Sequence, residues 1–309
     1  MNIETIETNW TNRPRSIAAA LLSSGGSHAL VDPGPASTLE TVREELARRG
    51  VRFADLSAIL LTHIHLDHSA ATGALVRENP NLAVYVHEFG ATHMADPAKL
   101  LASAGRLYGA DMGPLYGEFL PVPKENLRPL QGGETIRLGS DSLRVQYTPG
   151  HASHHVTYFD EAGGVAFVGD VAGIRVQGDS FLLPPLPPPD IDIELWTKSL
   201  REVAAHRPQR LFLTHFAYAD DPAEHIERYI ARLNEWTGIA KKIFDSGMDE
   251  ESAGRAFVEE TTRDLTANLS EKDAAHYLFN GGLYLSWLGL ARYLRKKSGK
   301  AATPSGSSR

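Results

Sequence analysis

The chain has 309 residues, 42% of them hydrophobic and 22% charged, enough for one large domain or two small ones around a sizeable core. A formal charge of −7 and a pI near 6.0 argue against broad attraction to nucleic acid or anionic membrane, and the absence of Cys excludes disulfides, zinc ribbons, iron–sulfur clusters and thiol nucleophiles. Met1 to Pro14 is polar with no apolar signal-like stretch, and the densest apolar run, Leu283 to Leu294, is too short and interrupted to span a bilayer, so a cytoplasmic location is expected.

From Ser16 to Gly34 the text reads as strand, Gly25-Gly26 turn, strand, ended by Asp32-Pro33-Gly34. Ser37 and Glu40 predict a capping box for a helix with Leu39, Val42 and Leu46 on one face, closed by Gly50. The apolar stretch Ala58 to Thr62 predicts a buried strand, with a helix after it and a further short strand at Leu82 to Val86, so this half alternates β and α. Residues 90–130, rich in Gly and Pro, resist assignment. Short strands are then predicted at Thr135 to Leu138, Leu143 to Tyr147, Val156 to Phe159 and Val165 to Val168.

Phe181 to Asp190 contains five prolines and reads as an ordered, polyproline-like surface loop. A helix from Asp192 to His206 precedes a strand at Arg210 to Thr214. Asp221, as N-cap, and Pro222 open a long helix, and further helices are predicted at about 249–263, 271–279 and 283–296. Their apolar residues, among them Tyr277, Leu283, Tyr284, Trp287, Leu288 and Tyr293, are expected to pack on the preceding sheets, with a substrate lid or a homodimer surface as alternatives. This divides the chain into 1–220, a catalytic domain; 221–297, a helical extension packed on it; and 298–309, a disordered tail rich in Gly, Ser, Ala and Pro.

The chemistry begins at His63-Ile64-His65-Leu66-Asp67-His68, four metal-ligand side chains in six residues at the end of a buried strand. Without Cys, any metal must be held by N and O ligands. His151, Asp170 and His215 are each the first ionisable ligand after an apolar strand or its turn, where strand ends project side chains into a common crevice. His154 and His155 are read as solvated or core residues, and His28, His87, His93, His206, His225 and His276 as structural.

In this order the seven positions resemble the metallo-β-lactamase-fold hydrolases over about residues 16–220. The segments Asp32-Pro33-Gly34, Thr148-Pro149-Gly150-His151, Pro187-Pro188-Pro189-Asp190 and Leu213-Thr214-His215-Phe216 look most like the glyoxalase-II-like group, including uncharacterised bacterial and archaeal hydrolases. The resemblance implies a four-layered αβ/βα sandwich, an α/β fold, carrying two divalent cations, zinc first, with iron or manganese as alternatives. One cation would take His63, His65 and His151, the other Asp67, His68 and His215, and Asp170 would bridge them. A hydroxide between the two would attack a small ester, thioester or lactone carbonyl, with Asp67 as the catalytic residue that orients it or moves its proton. Arg175, Phe216 and Tyr218 are expected in the substrate pocket.

Two departures stand out: Phe216-Ala217-Tyr218-Ala219 replaces the Glu-Tyr that follows the last ligand in glyoxalase II, and Gly173 stands where acyl-homoserine lactonases carry Tyr. The competing readings are a phosphodiesterase or nuclease, which would need a basic exosite, a mono-iron persulfide dioxygenase, a di-iron reductase and an inactive metal-binding relic. The expected partner is a small-molecule substrate, with no nucleic acid and no membrane.

Overall fold

A computed structural model describes residues 1–176 and 181–299. Two six-stranded sheets lie face to face. The first, in the order β1 (Asn2–Glu7), β2 (Ala18–Ser24), β3 (Ser27–Val31), β4 (Leu56–Leu60), β5 (Ala83–His87), β6 (Leu127–Leu130), is antiparallel over its first three strands and parallel from β3 onward. The second runs β12 (Ala217–Ala219), β11 (Arg210–Leu213), β10 (Val165–Phe167), β9 (Val156–Asp160), β8 (Asp141–Tyr147), β7 (Thr135–Leu138). Only its β10–β11 pair is parallel.

Strand alternation sorts side chains into separate cores. In β2, Ala18, Ala20 and Leu22 face the second sheet, whose Val145, Tyr158 and Phe167 meet them in a core between the sheets. Ala19 and Leu21 of the same strand face outward, onto helices α1 (Leu39–Ala47), α2 (Leu66–Ser69), α3 (Thr72–Glu78), α4 (Glu88–Ala95), α5 (Ala98–Tyr108) and α6 (Met112–Tyr116). The outer face of the second sheet packs on α7 (Ile193–Ala205), α8 (Pro222–Asp245), α9 (Glu250–Asn268), α10 (Glu271–Gly281) and α11 (Leu283–Ser298). The result is helix, sheet, sheet, helix, the expected four layers. The C-terminal helices share one core with the second sheet: Trp236, Phe257 and Trp287 are buried in the same cluster as Val168 and Leu213.

Several expectations need correction. The N-terminal segment, for which no element was predicted, supplies edge strand β1, and residues 88–116 form three helices. The capping box is absent, because Ser37 sits one turn before α1 and its hydroxyl donates to Leu115 O, while Thr38 occupies the cap. Asp221 does open α8, yet its carboxylate pairs with Arg175 and makes no cap bond. The proline-rich segment is no surface loop: Phe181 to Leu186 is buried between the second sheet and α10–α11. Of the expected disordered tail, Ser298 ends α11 and Gly299 caps it, and 300–309 lie outside the described residues. Among the described residues no helix is long and apolar enough to cross a membrane.

Gly289, inside α11, marks how closely that helix approaches the proline-rich segment, since a Cβ there would lie 2.0 Å from Leu186 O. In an isolated helix Gly→Ala stabilises by about 1 kcal/mol. Here the overlap with backbone outweighs that gain, and Gly289→Ala is expected to lower stability by about 1–3 kcal/mol in urea titration. A variant more stable than the parent would show that α11 does not lie on this segment.

Candidate metal centre

All seven sequence-derived positions meet at one edge of the sandwich. His63 and His65 follow β4, Asp67 and His68 lie in the short helix α2, His151 follows β8, Asp170 follows β10 and His215 follows β11. The ligand-bearing atoms of His63, His65, His151 and Asp170 lie within 4.8 Å of one another, and so do those of Asp67, His68 and His215. Asp170 stands between the groups. Its Oδ2 is 3.4 Å from His151 Nε2 and 4.0 Å from His63 Nε2, and its Oδ1 is 3.2 Å from His68 Nε2 and 3.5 Å from His215 Nε2. Asp67 Oδ2 closes the second group at 3.2 Å from His215 Nε2.

The outer nitrogens explain why the inner ones converge. His68 Nδ1 donates to Asp32 Oδ2 (2.9 Å), His151 Nδ1 to Pro185 O (3.0 Å), His215 Nδ1 to Ser16 O (2.7 Å), and His63 Nδ1 faces Thr62 Oγ1 (3.1 Å). A neutral ring that donates from Nδ1 carries its lone pair on Nε2, so in their neutral, metal-ligating form these four imidazoles aim acceptors inward. His65 is turned the other way, with Nδ1 3.0 Å from both His63 Nε2 and His151 Nε2. One proton on His65 can serve only one of these two neighbours. His68 Nε2 and Asp170 Oδ1, both fully enclosed, face each other at 3.2 Å without the alignment of a good hydrogen bond and have no other partner among the described residues. Facing lone pairs and an orphaned buried carboxylate oxygen are what a cation relieves, so the donor set fits N/O-ligated divalent metal.

Burial lowers the imidazoles of His63 and His65, and takes His151 down to about 3 against the pull of Asp170. These three are neutral at pH 7, the form a metal ligand needs. For His68 burial again works downward, but the carboxylates of Asp170, Asp67 and Asp32 outweigh it and raise its value. Asp170 stays ionised because His68 and His215 overcome the desolvation that would neutralise it.

Asp32 is the residue of the centre to which sequence reasoning gave no role, having read it as a chain break and as part of the Asp32-Pro33-Gly34 segment of the resemblance. It is fully buried, with φ 46°, and its carboxylate accepts from Thr62 N (2.8 Å), Thr62 Oγ1 (2.7 Å) and Thr214 Oγ1 (2.9 Å) besides facing His68. The signal was present: a carboxylate directly after an apolar strand, in a left-handed conformation that Asp tolerates. Gly150 has a comparable origin, since with φ 134° it brings Trp196 to within 2.2 Å of where a Cβ would sit, and the Trp196 ring meets His151 edge-on.

The three expected pocket residues lie elsewhere. A cavity of about 450 Å³ opens over His65, Asp67, Asp170 and His215, and among the described residues its lining includes none of Arg175, Phe216 or Tyr218. Arg175 is drawn to Asp221 and His225, Phe216 is buried between the sheets, and Tyr218 lies under the Arg210 guanidinium. Phe216, just before β12, and Tyr218, on it, share the strand face turned toward the inter-sheet core, while Arg175 lies outside any strand and is held by its ion pair with Asp221. Gly173 also contributes no side chain, because the Tyr229 ring from α8 fills its Cβ position. His154 and His93, read as structural or solvated, do line the cavity, whereas His155 is buried against His63 with Nδ1 on Thr148 Oγ1.

The family model described as Metallo-beta-lactamase superfamily matches residues 12–215. A metallo-beta-lactamase fold-containing protein of Sulfurisphaera tokodaii is 26% identical over 182 residues, 57% of this chain and 67% of that protein. A hydroxyacylglutathione hydrolase of Pseudoalteromonas translucida is 30% identical over 151 residues, 48% of this chain but only 44% of its own length. Among solved structures, a metallo-beta-lactamase family protein of Thermus thermophilus superposes with a TM-score of 0.70 at 21% identity, covering 96% of this chain and 94% of its own, a likeness of fold that takes in the C-terminal helices.

Replacing Asp32 by Asn keeps the shape and turns one acceptor into a donor facing other donors. Urea titration should show a loss of about 2–4 kcal/mol, and metal titration an affinity about 10–100-fold weaker. A loss under about 1 kcal/mol would mean that Asp32 is not the shared acceptor.

Proposed function

The chain belongs to the metallo-beta-lactamase superfamily, and we propose that it is a metal-dependent hydrolase with two adjacent cation sites, acting on a small ester, thioester or lactone carbonyl. One cation site is assigned to His63, His65 and His151 and the other to Asp67, His68 and His215, with Asp170 shared. The observation that carries this is Asp170, whose two oxygens each face a different histidine group, as the bridging ligand of a pair requires. Bound zinc, iron or manganese would supply Lewis acidity and make water a stronger acid near neutral pH.

The chain's own residues do the rest. Asp67 is 23% exposed against 5% for Asp170, and it alone of the two faces the cavity openly enough to take a proton from water and pass it on. The hydrogen bonds from His68, His151 and His215 to Asp32, Pro185 O and Ser16 O hold the rings in one tautomer, so no reorganisation is needed during turnover. The hydroxyacylglutathione hydrolase relative supports an acyl substrate. The nuclease reading gains no support from the cavity, whose lining holds one lysine, Lys99, and among the described residues no arginine.

Purified protein of measured metal content is expected to hold about two equivalents per chain and to turn over lactones or thioesters in a panel with phosphodiesters and β-lactams. Chelation should abolish turnover and added zinc or manganese restore it. Asp170→Ala should lower kcat by about a hundredfold or more together with the metal content. Unchanged hydrolysis in that variant means that the centre is wrongly assigned, and one tightly held iron with O₂ consumption would replace hydrolysis by oxidation.

A further inference from the structure

The cavity over the metal centre is built from two walls that the ligand pattern does not specify. One wall is α5–α6, contributing Leu100, Leu107 and Leu115; the other is the α10–α11 junction, contributing Phe279 and Leu285. All five are only half-buried, so apolar surface stands open to the cavity at every one of these positions. The walls are clasped by Trp10, stacked on Tyr116 of α6 at 5.8 Å and against Phe279 of α10 at 5.3 Å, with its Nε1 donating to Leu115 O. Arg13 lies over the Phe279 ring, and His276 Nε2 donates to Arg15 O, so the N-terminal segment pins α10 in place. The apolar space is therefore pre-formed, and it is continuous with His65, Asp67, Asp170 and His215.

We propose that this cavity is an acyl-chain subsite: it takes the apolar chain of an ester, thioester or lactone whose carbonyl lies at the metal centre. The proposal rests on the hydrolase reading above for the identity of the reacting group, and on the cavity itself for the chain. Its volume of about 450 Å³ suits a chain of several methylenes, and its largely apolar walls reward each one with about the same free energy. A polyanionic carrier finds little here, with Lys99 as the one lysine and no arginine among the described lining residues. The second wall, Phe279 and Leu285, lies outside residues 12–215, where the family model matches, whereas the first wall, Leu100, Leu107 and Leu115, lies inside them.

The test is calorimetric titration of the metal-loaded full chain with saturated carboxylates from acetate to dodecanoate. Affinity should rise about fourfold per methylene, equivalent to about 0.8 kcal/mol, until the cavity is full, and then level. Leu107→Glu and Leu285→Glu, one on each wall and both at half-exposed positions, should each weaken the long-chain carboxylates by about tenfold or more relative to acetate. A flat series, or a rise that both variants retain, overturns the subsite. The matching aryl esters separate the two readings: a rising binding series without hydrolysis of any ester keeps the subsite and removes the hydrolase, while hydrolysis with a flat series does the reverse.

Discussion

The carboxylate of Asp32 is where the two sheets and the candidate centre are tied together. It takes the backbone and hydroxyl of Thr62 at the end of β4, the hydroxyl of Thr214 at the end of β11 in the other sheet, and His68 of the cluster. A buried carboxylate is tolerable only when its oxygens are filled with donors, and here every donor comes from a segment that also carries a ligand: His63 follows Thr62, and His215 follows Thr214. The same contact that neutralises the cost of burying Asp32 therefore sets the separation between the ligands of the two half-sandwiches. A backbone bond from Ala18 N to Thr214 O and the His215 Nδ1 bond to Ser16 O extend the tie, so β2 and β11 meet at the site edge.

From this joint outward, the histidines behave as a set. Four outer Nδ1 atoms are directed at oxygen, so each ring in its neutral form turns a lone pair to the inner face, an arrangement suited to a cation. The proline-rich segment takes part in this: Pro185 O orients His151, while Leu186 O lies against Gly289 of α11. The C-terminal helices thus reach the metal centre through one short stretch of backbone and reach the substrate space through Phe279 and Leu285.

Much of the strand order's raw material was legible, because the alternation of β7 and β8, the apolar runs of β2 and β9 and the ligands at strand ends follow from local pattern. The ligand positions were legible because a strand that ends at a crevice must present its next residue there. The segments that eluded reading have distinct physical reasons. Ser37 looked like a cap because the capping pattern is local, and it was claimed instead by Leu115 O, 78 residues away. Phe181 to Leu186 looked solvent-facing because proline lacks a donor, yet Pro185 O accepts from His151, and Phe181, Leu182, Leu183 and Leu186 join the core between a sheet and two helices. Arg175, Phe216 and Tyr218 were placed in the pocket by proximity in sequence to ligands, whereas the pleat turns Phe216 and Tyr218 to the face opposite the crevice and Asp221 draws Arg175 aside.

By itself, the amino-acid sequence determined the donor chemistry and its order along the chain: no Cys, five imidazoles and two carboxylates at strand ends, which restrict the centre to N and O ligands before any fold is known. Tertiary structure alone decided which oxygen each imidazole would face, that Asp170 would stand between two groups, and that helices far apart in sequence would wall one apolar cavity. Residue type sets what an atom can donate or accept and is written in the sequence. Orientation depends on contacts between residues as distant as Ser16 and His215 or Trp10 and Phe279, and these exist only once the two sheets have closed on each other.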